Sequence, residues 1–265
     1  MGIRTLYARE FRKELENGRT RPCVFACDDE HGKDVGEFVV KFKASKEMTP
    51  FSSFSEYACS LIAINLGIRC PEPVLVEIDA GLAKIVPTDL YSTVEASTGI
   101  NFACKYIHPS EPWIKGTTLI GSLHTQAVAI FTFDAFVQNP DRGTQVDKPN
   151  LLRRGDDLIA IDHETAFSFI HLLPWNVKPQ LWKISQENWF LQHLFCQPLR
   201  GTAIDWSEMK SKFKVMKDSS TIHQIIESAP AEWADSDNID KVIRYFDDTL
   251  DNTDEFIQEL NKILL

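Results

Sequence analysis

No run of 18 uninterrupted apolar residues occurs in the sequence, and its first nineteen residues, MGIRTLYAREFRKELENGR, contain no apolar stretch of leader-peptide type. Neither a membrane-spanning helix nor a secretory leader is therefore expected, and the chain reads as soluble and cytoplasmic. Position 6 after Met1-Gly2 is neither Ser nor Thr, which leaves a myristoylation signal incomplete. Positive charge is scarce: 28 Lys and Arg stand against 38 Asp and Glu, a formal net charge of −10. Nonspecific nucleic-acid binding draws most of its affinity from a basic face, and anionic membranes attract basic segments, so neither partner is expected. The six cysteines, at 23, 27, 59, 70, 104 and 196, form no Cys-x-x-Cys pair. Cys23 and Cys27 share a strand face, but the second pair of a zinc site is missing. All six read as small buried hydrophobes in a reducing compartment. Internal repeats and low-complexity tracts are also lacking.

What remains is an ordinary globular composition, 43% hydrophobic and 25% charged, over 265 residues. That length holds one large domain or two lobes with ample core. Residues 1–20 are polar, with Asn17-Gly18 as a turn signal. A short strand, CVFACDD, then runs into a connection holding Gly32 and Gly36, and residues 38–43, FVVKFK, read as a second strand. Such a strand, glycine loop and strand can cover phosphates, or form a plain hairpin. Lys41 and Lys43 share one strand face opposite Val40 and Phe42. Either both face solvent on an edge strand or one reaches a ligand, and the pleat parity does not decide which.

After a loop over 44–54, Ser55 reads as the N-cap of a helix that stops at Gly67, with Glu56 in the first turn, where the helix dipole favours it. Residues 74–78 form a strand, 81–86 its hairpin partner, and 100–107 a further strand, with a boundary between units near residue 110. Residues 118–138 recur apolar at helical spacing. Asp134 lies in that apolar helix and needs a partner, for which Arg142 or a loop amide would serve. His124 reads as a surface or satisfied histidine. Beyond Phe169 the chain is Pro- and Trp-rich. Trp175, Trp182 and Trp189 read as packing, or as a substrate platform. Helices are expected over 185–198, 206–217, 220–228, 238–249 and 253–264. Asp235, Asp237, Asp240, Asp247, Asp248, Asp251, Asp254 and Glu255 read as a solvated face. Ser207-x-x-Lys210 lacks the companion motifs of a serine acylase. Strands first and helices later predict an α+β fold.

The chemistry concentrates between residues 131 and 167. The segment FTFDAFVQNPDRGTQVDKPNLL begins on an apolar helix end and turns at Asn139-Pro140. A Gly155-Asp156-Asp157 turn then leads to the short strand of LIAIDHETAF. Asp141, Asn150 and Asp162 supply oxygen ligands at loop and strand ends, the donor set that holds a hard cation beside a phosphate. The order Asp…Asn…hairpin…Asp is that of protein-kinase-like enzymes. In detail, NPDRGTQVDKPNLL with LIAIDHETAF resembles the HipA-like kinases, and more distantly the type II phosphatidylinositol 4-kinases, which share Asn-x-Asp-Arg…Asn and a later Ile-Asp.

That resemblance implies a two-lobed protein-kinase-like fold, with a β-rich lobe over 1–110 and a helical lobe over 111–265. It implies ATP and Mg²⁺ as cofactors, and a protein Ser/Thr or another hydroxyl as acceptor. Asp141 would be the catalytic acid–base, aided by Arg142. Lys41 would bind the α/β-phosphates, Glu56 would pair with Lys41 or act on the metal indirectly, and Asn150 and Asp162 would be the metal ligands. The hinge that meets adenine would fall near Lys105, Tyr106 and Ile107. Two departures stand out: eight residues separate Asp141 from Asn150, against four in the usual kinase loop, and His163-Glu164 replaces Phe-Gly. Two other classes fit the same residues. A metal-dependent hydrolase would use Asp141, Asp162 and His163 as ligands, and a pseudokinase would bind ATP without turnover.

Overall fold

The computed structural model describes residues 3–15, 20–114, 116–143, 149–173 and 178–265. The Asn17-Gly18 turn, most of the loop between Asp141 and Asn150, and Trp175 lie outside them. Five strands close a barrel in the order β1-β2-β3-β5-β4. They are β1 (Thr5–Glu14), β2 (Cys23–Asp28), β3 (Asp34–Lys41), β4 (Pro73–Ile78) and β5 (Gly99–Lys105). Phe25, Phe38, Val40, Phe42, Val74 and Val76 fill its interior with Cys23 and Cys27. Burial pushes both of those thiols up to about 12, so they behave as the expected inert hydrophobes.

The first strand was not expected. It pairs antiparallel with β2 and, over three residues, parallel with β4. Register shifts between Ala8 and Glu10 and between Phe11 and Lys13 break its period of two. Bulged strands carry no clean alternation to read. Residues 81–86 are not a strand either. β4 already has β1 and β5 as its two neighbours, and Asp79 accepts the Gly81 N–H at 2.7 Å to start a 3-10 turn at Leu82–Ile85.

Helix α1 spans Pro50–Asn65, not the segment after Ser55. The Thr49 hydroxyl caps it by accepting the Ser52 N–H at 3.0 Å, and Pro50 fills the first helical position. Glu56 therefore sits beyond the first turn, and the helix dipole does not explain it. The stop is where the sequence puts it. Gly67, at φ +72°, and Ile68 return N–H bonds to Ile64 and Ala63, each at 2.9 Å, closing a Schellman motif.

A short helix, α2 (Tyr91–Ala96), precedes β5, and the helical region begins with α3 (Ser122–Phe136), shorter than the expected 118–138. A three-stranded sheet draws on both sides of α3 in the chain, β6 (Glu111–Pro112) before it and β7 (Leu151–Arg154) and β8 (Asp157–Ala160) after it. Residues 185–198 break into a 3-10 turn, Asn188–Gln192, and a single helical turn, α4 (Cys196–Leu199). The remaining helices fall where expected: α5 (Ser207–Asp218), α6 (Thr221–Glu227), α7 (Ser236–Asp251) and α8 (Thr253–Leu264). They grip the end of α3: Phe136 meets Phe213 at 4.6 Å and Phe246 at 4.9 Å, and the Tyr245 hydroxyl donates to the Phe136 carbonyl at 2.9 Å. The eight acidic residues over 235–255 are all exposed. Among the described residues no helix is long and apolar enough to cross a membrane.

Candidate active site

A cavity of about 480 Å³ opens between the barrel and the β7–β8 hairpin. Val39 and Phe102 line it from the barrel, Leu152 and Ile161 from the hairpin, and residues 105–108 from the connection that leaves β5. Lys41, Glu56 and Asp162 stand in its wall.

The register of β3 decides between the two lysines. Val40 pairs with Cys23 on one side and Ala103 on the other, and its side chain enters the barrel core. Val39 and Lys41 therefore point outward to the face that α1 and the hairpin cover. Lys41 is only 7% exposed. Its ammonium donates to Glu56 Oε1 and, at 2.7 Å, to Asp162 Oδ1. Lys43 does not line the cavity; its backbone N–H donates to the Asn101 side chain at 2.9 Å.

Electrostatics follow from one cation among three carboxylates. Burial works to lower the Lys41 pKa, yet Asp162, Glu56 and Glu164 outweigh it and hold the ammonium well above its ordinary value. Burial raises Glu56 to about 8 against the pull of Lys41. Asp162, with a side chain 32% exposed, stays below the usual carboxylate range because Lys41 outweighs its desolvation. Glu164 completes the group: ligand atoms of Glu56, Asp162 and Glu164 lie within 4.8 Å of one another. Nothing in the sequence marks Glu164, which lies one residue beyond a histidine that points elsewhere.

The hairpin aligns the ligand candidates. A two-residue turn at Gly155-Asp156 pairs Leu151 with Ala160, and the Ile161 N–H then donates to the Asn150 carbonyl at 3.2 Å. Asn150 and Asp162 thus flank one hairpin, both in left-handed backbone, at φ +47° and +62°. Neither is glycine, and such conformations persist only where the surroundings impose them. Asn150 Nδ2 donates to Asp141 Oδ2 at 2.8 Å, which joins the first two members of the motif. Asn139, unassigned from sequence, shapes the turn before them: its Oδ1 accepts the Asp141 N–H at 3.3 Å and the Thr165 hydroxyl at 2.8 Å.

Arg142 imposes the strain. It is fully buried and turned away from the cavity. Its Nε donates to Asp134 Oδ2 at 2.6 Å, the pairing expected for that helix carboxylate. Its Nη1 donates to the Asn150 carbonyl and, at 3.1 Å, to that of Ile161. One guanidinium therefore clamps the backbone at both ligand positions, which is positioning and not phosphate contact. His193, also unread in the sequence, donates to the same Asp134 oxygen at 3.0 Å.

Two further expectations change. The β2–β3 connection does not line the cavity; Lys13, Glu14 and Leu15 at the end of β1, with Pro22 before β2, do so. Of the two readings of the Gly32–Gly36 connection, the plain hairpin therefore holds. The hydrolase trio is also not assembled. The His163 ring lies edge-on to Phe133 at 5.4 Å, and its Nδ1 accepts from Arg142 at 3.4 Å. Burial, aided by Arg142, lowers the His163 pKa to about 3.

That shift sets a pH dependence. The unfolded chain takes up the His163 proton near its ordinary value of 6.5, the folded chain near 3. The contribution is present above pH 6.5 and is lost as pH falls through that window, with a slope approaching about 1.4 kcal/mol per pH unit. Glu56, raised on folding, acts in the opposite sense, so the comparison is between variants. His163→Gln should flatten the fall in stability below pH 6.5, measured by denaturant unfolding. An unchanged slope would contradict the neutral buried ring.

A strand lysine tied to a helix glutamate and to the aspartate of a distant hairpin, beside an Asp–Asn contact, defines a protein-kinase-like phosphotransferase. The HipA-like kinase family model matches residues 8–262, and the chain belongs to that family. In fold it is similar to the crystal structure of a Helicobacter pylori proinflammatory kinase, CtkA. That likeness has a TM-score of 0.52 and 13% identity, and covers 98% of this chain and 96% of that one. No curated protein matches the sequence.

Proposed function

We propose that this kinase transfers the γ-phosphoryl group of Mg·ATP to a Ser or Thr hydroxyl of a protein substrate. The observation that carries the reading is Lys41, buried in the cavity wall and bonded to carboxylates 15 and 121 residues away in the chain. A solvated edge lysine would have neither partner. Residues 1–110 and 111–265 then act as nucleotide-binding and catalytic lobes around the cavity. The purine lies between Val39 and Leu152, beside the backbone of Lys105, Tyr106 and Ile107. Lys41, held by Glu56, meets the α/β-phosphates.

The oxygen-only donor set of Asp162, Asn150 and Glu164 suits a hard divalent cation. Asn150 spends its N–H on Asp141, which keeps its side-chain carbonyl oxygen for the metal. Bound Mg²⁺ supplies neutralisation of the phosphate charge. Asp141 accepts the proton of the attacking hydroxyl, and Arg142 holds the frame behind it. Little covalent work is required of the protein; position and charge do most of it. The net charge of −10 favours a basic protein segment as acceptor over an anionic lipid. The six free cysteines suit a reducing compartment, which supports a cytoplasmic setting for the reaction.

Incubation with γ-labelled ATP and Mg²⁺, alone and with a basic Ser/Thr peptide pool, tests the assignment. Acid-stable label on Ser or Thr is expected. Nucleotide binding with no transfer would define a pseudokinase, and label appearing only in lipid would overturn the acceptor class.

A further inference from the structure

The segment that follows the Trp-rich stretch is joined to the catalytic loop at three points. Leu194 N–H donates to the Arg142 carbonyl at 2.9 Å. Gly143 and His193 form an antiparallel β-bridge. A Cβ on Gly143 would stand 3.2 Å from the Gln192 carbonyl, so the two chains approach as glycine permits. The third point is the His193 side chain, which is buried among Phe131, Phe195 and α3. Its Nδ1 accepts the Phe195 N–H at 3.1 Å. That bond fixes the tautomer: the ring proton sits on Nε2 and is donated to Asp134 Oδ2 at 3.0 Å. The same oxygen accepts Arg142 Nε at 2.6 Å, and Asp134 Oδ1 accepts Arg142 Nη2 at 3.3 Å and Asn139 Nδ2 at 3.2 Å.

We infer that His193 is a positioning residue for phosphoryl transfer, acting through Asp134 and Arg142 on Asn150 and Asp162. The inference rests on the kinase reading. Asp134 is the floor on which Arg142 stands, and Arg142 grips the carbonyls of Asn150 and Ile161. With the Nε2–H in place, Asp134 offers Arg142 one fixed oxygen geometry. Without that donor the carboxylate turns, the guanidinium follows, and the two left-handed ligand positions relax. His193 touches neither nucleotide nor acceptor, so its loss should appear in turnover and not in purine affinity.

Two isosteric amides separate this role from simple packing. Gln places an N–H donor where Nε2 lies and retains the bond to Asp134. Asn places its oxygen where Nδ1 lies, keeps the Phe195 bond and does not reach Asp134. His193→Gln should keep kcat for ATP turnover within about threefold of wild type. His193→Asn should lose about ten- to a hundredfold, as for residues that orient metal ligands. The Kd for metal-free ADP should stay within about twofold in both, since no purine contact changes. Equal rates in His193→Asn and wild type, or equal losses in the two variants, would overturn the inference. Should His193→Asn not fold, Gly143→Ala decides it. The added Cβ pushes the Gln192 carbonyl back by a few tenths of an ångström, and a wild-type rate there overturns the coupling. A wild type that neither binds nor turns over Mg·ATP would remove the kinase reading itself, a result distinct from all of these.

Discussion

An Asp141→Asn variant should bind Mg·ATP as tightly as wild type and transfer phosphate about 10²- to 10⁴-fold more slowly, the range for loss of a positioned general base. Asparagine preserves size and still accepts the Asn150 Nδ2 bond of 2.8 Å, so the loop keeps its shape. What it loses is the capacity to take the hydroxyl proton. The effect should lie in kcat, because Asp141 makes no contact in the purine part of the cavity. Single-turnover transfer from labelled ATP, with nucleotide Kd measured in parallel, checks both halves. Equal loss of affinity and rate would mean that Asp141 is a binding residue, and an unchanged rate would remove it from the mechanism.

Replacing Arg142 by methionine should cost about 3–5 kcal/mol of folding stability, the usual penalty for stranding a buried charge. Arg142 and Asp134 are both fully buried. Burial works to raise the Asp134 pKa, yet Arg142 and His193 hold it below its ordinary value. Methionine fills most of the volume but leaves the carboxylate with only neutral donors. It also releases the Asn150 and Ile161 carbonyls, which accept from the guanidinium. Chemical denaturation measures the loss. A penalty below about 1 kcal/mol, the worth of an exposed pair, would mean that the network does not hold the folded state. The paired variant Asp134→Leu/Arg142→Met should recover part of the stability, since replacing both partners removes the stranded charge, while turnover stays low.

The hairpin that carries Asn150 and Asp162 was legible because its determinants are local. A Gly155 turn of two residues fixes the register that sets Asn150 beside Ile161, and the polar ends of two short apolar strands mark the candidate ligand positions. The Asp134–Arg142 pair was legible for a different reason: a carboxylate in an apolar helix must find a partner, and Arg142 was one of the two within reach, beside a loop amide. The Gly67 stop, the burial of Cys23, Cys27, Cys59 and Cys196 and the late helices also followed from local pattern, whereas Cys70 and Cys104 are only half-buried and Cys104 lines the cavity. The first strand did not, since two register shifts erase its alternation, and with it went the place of Lys13 and Glu14 beside the cavity. Thr49-Pro50 carried a start signal for α1, but the Ser55-Glu56 pair a turn later reads equally well as a cap. The choice of Lys41 over Lys43 depended on which strands flank β3, a property of barrel closure. Glu164 and His193 gain their places only through chain crossings of tens to more than a hundred residues. No spacing in the sequence marks them.

Thermal unfolding with and without Mg·ATP, wild type beside Asp162→Ala, tests the central claim most directly. Ligand at about a hundred times Kd should stabilise wild type by about 2.7 kcal/mol, which is about 5–10 °C for a chain of this size. The shift should require both ATP and metal, and should disappear in Asp162→Ala. A shift with Mn²⁺ alone and none with ATP, or the same ATP shift in Asp162→Ala, would contradict a nucleotide site built on Lys41 and Asp162.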